Sequence, residues 1–170
     1  MKKRLINLAV AVGLVLAFAG AAAWAVDDNR DGKNPLVVTM DAFRVEKDAA
    51  GKEKLVKTDK IEPSQVIEYV LTSKNVSKAA LAKVTLLGPI PENTSYLAKS
   101  ATQAKGLVPV FSIDKGKTFQ PEPVKYKVKL PDGKEAEKVA TPDMYTHVRW
   151  VVGSIKAGES SKLRYRVSVK

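Results

Sequence analysis

His147 is the one histidine in a 170-residue chain that has no cysteine. Any Ser–His pair, catalytic triad or histidine-bearing metal site must therefore pass through it. A structural zinc site built on thiolates is excluded outright. Tyr145 and Arg149 stand two residues to either side of His147, the spacing of side chains that share one face of a strand. No serine or carboxylate is spaced to complete a triad, so the simplest role is a polar strand-face residue, and neither a catalytic residue nor a cofactor is assigned. Paired carboxylates can do acid–base work without histidine. Here they are scattered through turns such as those at Asp48, Asp59, Asp114 and Asp132, where an Asp side chain accepts hydrogen bonds from nearby backbone N–H groups.

Two further patterns carry candidate binding chemistry. Asp27-Asp-Asn29-Arg-Asp31-Gly32 matches the start of a calcium loop, with oxygen ligands at alternate positions and a glycine at the bend. The twelfth position is Val38 rather than a bidentate glutamate, and Pro35 interrupts, so the stretch reads as an acidic soluble segment and no metal ligand is assigned. The stronger hint is basic. Lys125, Lys127 and Lys129 alternate with apolar residues and share one strand face, and Lys162, Arg164 and Arg166 do the same near the end. If the two strands were neighbours, one sheet would present a basic plate able to hold an anionic polymer. Lysines on exposed strands also serve simply to block sheet-to-sheet aggregation. No aromatic residues interleave with them as a nucleic-acid stacking platform requires.

The elements that must position these residues are read from hydrophobic period. Met1-Lys-Lys-Arg4 precedes an apolar run from Leu5 to Ala25 that ends Ala23-Trp-Ala25, the pattern of a secretory signal peptide cleaved after Ala25. An uncleaved anchor is the alternative and would be the chain's only membrane contact, since a run of about 20 apolar residues spans a bilayer. Removing residues 1–25 leaves 145 residues with 26 basic and 18 acidic side chains, one ordinary core's worth without disulfides. Residues 26–34 read as a flexible tether and residues 35–170 as a single domain.

Within that domain period-two alternation dominates. Strands are expected over Leu36–Val45, Lys54–Lys57, Gln65–Ser73, Ala82–Leu87, Val108–Ile113, Lys117–Phe119, Val124–Leu130, Glu137–Val139, His147–Val152 and Lys162–Val169. Lys54–Lys57 should pair with the first strand across a turn at Asp48–Gly51, and Gln65–Ser73 should be central. Asn93–Gly106, with the preceding Glu92, is the one place for a helical turn or long loop. The stretch Phe111-Ser-Ile-Asp-Lys-Gly-Lys-Thr-Phe119 reads as a hairpin rather than a phosphate cradle, which would need more glycine and a following helix. Leu163, Tyr165, Val167 and Val169 should face a core and Trp150 should anchor it. The expected fold is all-β, an immunoglobulin-like β-sandwich of about seven to nine antiparallel strands.

Three segments together resemble a known family: Tyr69–Asn75 with Val84-Thr-Leu86 and Pro89–Tyr96; Phe111–Phe119; and Trp150–Ser160 with Leu163–Val169. Over roughly residues 60–170 the chain is similar to the bacterial surface-repeat domain of unknown function number eleven. Two positions depart from that pattern: Ser77, where a glycine is usual, and Gly88, where an acidic residue is common. The resemblance implies an exported immunoglobulin-like module with a structural or adhesive role and no catalytic residues to carry over. The expected function is therefore non-enzymatic: a module of the bacterial cell envelope, periplasmic or at the cell surface, binding a protein partner by a sheet face or edge strand and taking no small-molecule substrate. The alternative is a basic protein that binds an acidic glycan, lipopolysaccharide or nucleic acid on Lys125, Lys127, Lys129, Lys162, Arg164 and Arg166. A hydrolase of envelope polymers is a third reading, and it needs a cleft with perturbed titrating groups.

Overall fold

Period-two alternation becomes two packed sheets. The computed structural model describes residues 34–57 and 61–170; the stretch 1–25 read as a signal peptide, the expected tether up to residue 33, the Asp27–Gly32 pattern and Asp59 lie outside the described residues. Among the described residues there are eleven strands: β1 (Leu36–Lys47), β2 (Glu53–Lys57), β3 (Val66–Asn75), β4 (Leu81–Pro89), β5 (Thr94–Tyr96), β6 (Val110–Ser112), β7 (Gln120–Pro121), β8 (Lys125–Lys129), β9 (Glu135–Val139), β10 (His147–Ile155) and β11 (Ser160–Val169). One sheet runs β2-β1-β3-β11-β5 and the other β4-β10-β6-β7, while β8 and β9 form a separate ribbon. Every pairing is antiparallel. The chain is thus an all-β sandwich, with more strands than the seven to nine expected.

The core lies between the two sheets and is built from the alternating rows. Leu163, Tyr165, Val167 and Val169 of β11, Ile67, Tyr69 and Leu71 of β3, and Val148 and Trp150 of β10 are all buried. Each fully buried Leu, Ile, Val or Phe contributes about 1.5–3 kcal/mol of apolar transfer energy. Tyr165 sits at the centre, its ring 5.2 Å from that of Tyr69 and 6.1 Å from that of Trp150. Its hydroxyl donates to the Pro89 carbonyl oxygen across the sandwich. The Trp150 indole N–H donates to the Thr102 carbonyl at 2.8 Å, so the core anchor also secures the loop after β5.

Several boundaries differ from the sequence reading. β4 and β10 keep inward parity through Val84/Val152, Leu86/Trp150 and Gly88/Val148, yet the Leu81/Ile155 pair also packs on the core, one residue out of phase. Lys83 stands between with φ 51°, a left-handed conformation that rotates the strand and swaps its faces. Lys117–Phe119, expected as a strand, is loop; β7 begins only at Gln120. The stretch expected to hold a helical turn contains the short strand β5, and a 3₁₀ turn lies instead at Pro142–Met144.

Candidate functional site

The Phe111–Phe119 stretch is organised around one carboxylate. Asp114 Oδ1 accepts from Ser112 Oγ at 2.7 Å, from Lys117 N at 3.1 Å and from Thr118 N at 2.9 Å. Its Oδ2 accepts from Thr118 Oγ1 at 2.6 Å and Thr118 N at 3.1 Å. Ser112 Oγ in turn accepts from Gly116 N at 2.8 Å, and Gly116 turns the chain at φ 85°. The Thr118 and Ser112 hydrogen bonds hold the Asp114 carboxyl well below the usual carboxylate range. A carboxylate so engaged is spent on closing a β6–β7 hairpin, as the turn reading of this stretch expected. His147 lies against this loop, with Nδ1 3.1 Å from Thr146 Oγ1. Burial lowers the imidazole pKa, with the Asp114 charge opposing, so the ring is neutral at pH 7. Among the described residues no three His, Asp or Glu side chains gather to hold a metal ion.

The six basic residues divide between two sheets. Lys125, Lys127 and Lys129 are on β8 of the ribbon, whereas Lys162, Arg164 and Arg166 are on β11 of the five-stranded sheet. The strands are not neighbours, so the single plate imagined from their alternation is not formed. Each set also faces carboxylates. Lys125 pairs with Glu137 at 2.8 Å and Lys127 with Glu135 at 2.9 Å across the ribbon. Arg166 Nε donates to Glu68 Oε2 at 2.8 Å, while its terminal nitrogens fork onto Glu53 at 2.8 and 3.1 Å. Arg164 stands 3.7 Å from the other Glu68 oxygen. Glu68, on the outer face of β3, is only 4% exposed beneath these arginines. Lys129 and Lys162 form no ion pair among the described residues.

Sheet edges are one route to a partner, and the four edges of the two packed sheets are all blunted. β7 and β5 are two and three residues long. β2 reads Glu53-Lys-Leu-Val-Lys57, charged at three of five positions. β4 is the longest edge, but Lys83 at φ 51° breaks its early part and Pro89 ends it. Kinks, prolines and charges of this kind discourage strand addition.

The outer face of the four-stranded sheet is open and carries a feature the sequence reading missed. Arg149 is the register partner of Leu87 on β4 and of Val110 on β6, and Val110 is the partner of Pro121 on β7. Buried Val148, Trp150, Leu86 and Phe111 point inward, which turns this whole rung outward. The Arg149 guanidinium lies 3.9 Å from the centre of the Phe119 ring. Its Nε is buried without a hydrogen-bond acceptor, and desolvation lowers its pKa. One position along, Val151 is 46% exposed. Beside β7 a shallow groove is lined by Val108, Pro109, Pro121, Pro123, Lys99 and Gln103, with Val108 60% exposed. Parity in His147-Val-Arg-Trp150 does place Arg149 opposite the core; its partners across the sheet and its seat over Phe119 are tertiary facts.

No family model, no curated protein and no solved structure matches the chain.

Proposed function

We propose that this protein is a non-enzymatic binding module of the bacterial cell envelope, with an immunoglobulin-like plan, that engages a protein partner through the outer face of its four-stranded sheet. The reading is supported by the sandwich fold, by the export-signal pattern of residues 1–25, and by the use of Asp114, Glu68, Glu53, Glu135 and Glu137 in structural contacts. The observation that carries it is the contrast between surfaces. The edges are blunted and the outer face of the five-stranded sheet is crossed by the Glu53–Arg166–Glu68 ion pairs, while the β4-β10-β6-β7 face holds an open row of apolar residues. Apolar side chains flanking an arginine and an aromatic ring are the composition of a protein-interface centre.

A photo-crosslinking residue placed at Val151, with a control at Lys74 on the other sheet, tests this in the host cell. A discrete envelope-protein adduct from position 151 and none from position 74 is the expected result. Equal labelling from both positions, or none from either, removes the reading. Fractionation of the same cells should recover the chain outside the cytoplasm.

A further inference from the structure

We propose that the outer face of the four-stranded sheet recognises an acidic segment of a partner protein, one carboxylate pairing with the Arg149 guanidinium while the flanking apolar side chains lie on Leu87, Val110 and Pro121. The proposal rests on the binding-module reading and adds the chemistry of the occupant.

Arginine pairing sets Arg149 apart. Arg44 pairs with Glu46, Arg164 with Glu68, and Arg166 with Glu53 and Glu68. Arg149 has no carboxylate within 4.0 Å among the described residues. It is nevertheless partly desolvated, with Nε sealed off from solvent and acceptors alike. A partly buried guanidinium whose Nε is shut off from water, with no counter-charge beside it, carries an uncompensated cost. The Phe119 ring offsets part of it and holds the planar group in one orientation. The acidic residue of the neighbouring loop is not free to help, because both Asp114 oxygens are taken by Ser112, Lys117 and Thr118.

An incoming carboxylate fits the planar fork of donors, and the ring presets the fork's direction. Leu87, Val110, Pro121 and Val151 surround that charge with apolar surface, which a protein segment can cover and a polyanionic glycan or nucleic acid cannot. Charge also disfavours a second copy of the chain as occupant. The full chain has a formal net charge of +11, and residues 26–170, with 26 basic and 18 acidic side chains, still carry +8, so two copies repel while an acidic partner is drawn in.

The test uses the exported chain labelled with ¹⁵N and, as probe, a blocked peptide Thr-Val-Asp-Val-Thr beside its Asn-containing twin. Titration with the Asp peptide should shift the Arg149 Nε–H resonance and the backbone amides of Leu87 and Val110. The Asn twin, and the Arg149→Gln variant with the Asp peptide, should bind at least about tenfold more weakly, the factor that about 1.4 kcal/mol represents. Arg149→Lys should restore part of the loss if charge is what matters. Equal shifts with both peptides, or no shift on this face, overturn the proposal. So does a heparin fragment that displaces the peptide with a steep salt dependence, which would make the face a polyanion site. The crosslink at Val151 separates the two levels. An adduct that survives Arg149→Gln leaves the module standing and sinks the carboxylate; no adduct in the unaltered chain sinks the module itself.

Discussion

The side-chain amide of Asn75 donates to the carbonyl oxygen of Ile155 at 2.9 Å, closing a span of 80 residues. Asn75 is fully buried at the end of β3. Its second amide bond goes to Ala79 O at 2.7 Å, and its Oδ1 accepts from both the backbone N and the hydroxyl of Ser77. One residue thereby ties the β3–β4 loop to the end of β10. Ser77 has a local role here: its hydroxyl donates to Asn75 Oδ1 at 2.7 Å, a hydrogen bond that a glycine could not supply.

Removing the Asn75 amide takes its donor from the Ile155 carbonyl and its acceptor from Ser77 N, while Ala79 O and the Ser77 hydroxyl keep only each other, at 2.9 Å. Asn75→Ala should therefore destabilise the fold by about 2–4 kcal/mol. Urea unfolding monitored by Trp fluorescence measures it, and a loss under about 0.5 kcal/mol, the range of neutral surface changes, contradicts the account.

Gly88 is required by its neighbour. A Cβ there would stand 2.7 Å from Tyr165 Cε1 and 3.1 Å from Val148 Cγ1. The Tyr165 ring has little room to retreat, since it stacks on Tyr69 and its hydroxyl is bound to Pro89 O. Gly88→Ala should cost about 1–3 kcal/mol by overpacking. Gly153 on the facing strand has nothing within 4 Å of such a Cβ, so Gly153→Ala is the matched control and should be close to neutral.

Asp114 sets an acid limit. Its folded-state pKa is held below the ordinary value by the Thr118 and Ser112 hydrogen bonds. The unfolded chain therefore binds this proton first, so the stabilisation is complete above about pH 4 and is lost as pH falls through the folded value. Denaturation midpoints measured from pH 6 down to pH 2 should fall more steeply in the unaltered protein than in Asp114→Asn. The variant should also be the less stable of the two at pH 7.

The core tyrosines set an alkaline limit of opposite sign. Burial pushes Tyr69 up to about 12 and also raises Tyr165 well above the ordinary value. Groups with raised folded-state values contribute fully below the unfolded value near pH 10, and the contribution disappears as pH climbs through the folded value. Unfolding midpoints between pH 9 and pH 12 should drop in the unaltered chain, and Tyr69→Phe should flatten that drop while keeping the ring stack. Tyr165→Phe, which forfeits the hydroxyl bond to Pro89, should cost about 1 kcal/mol already at pH 7.

The ribbon ion pairs are exposed and should matter little. Lys125→Ala or Lys127→Ala should leave stability almost unchanged. A larger loss, read from thermal unfolding at low and high salt, would show that the β8–β9 register depends on them.

What was legible in the chain was whatever repeats locally. The alternation Leu163, Tyr165, Val167, Val169 named the buried face of β11, and the β1–β2 hairpin and the central place of β3 followed from turns and apolar density. Those features depend on period two, which neighbouring residues state directly. Locally stated patterns also misled, because Lys117–Phe119 alternates as a strand would, yet Asp114 draws the backbone of Lys117 and Thr118 into its own hydrogen bonds. Even parity is not wholly local, since the left-handed turn at Lys83 reverses the faces of β4.

By itself, then, the sequence determined that the domain is all-β, that the row Leu163, Tyr165, Val167 and Val169 faces inward, and that Asp114-Lys-Gly116 is a turn. Tertiary structure alone decided which strands lie side by side. It separated the lysines of β8 from the arginines of β11, placed Glu68 and Glu53 on Arg166, and left Arg149 over Phe119 with apolar neighbours and no carboxylate. The physical reason is that side-chain alternation is a property of one strand's pleat, whereas charge compensation and burial depend on distances between strands far apart in the chain.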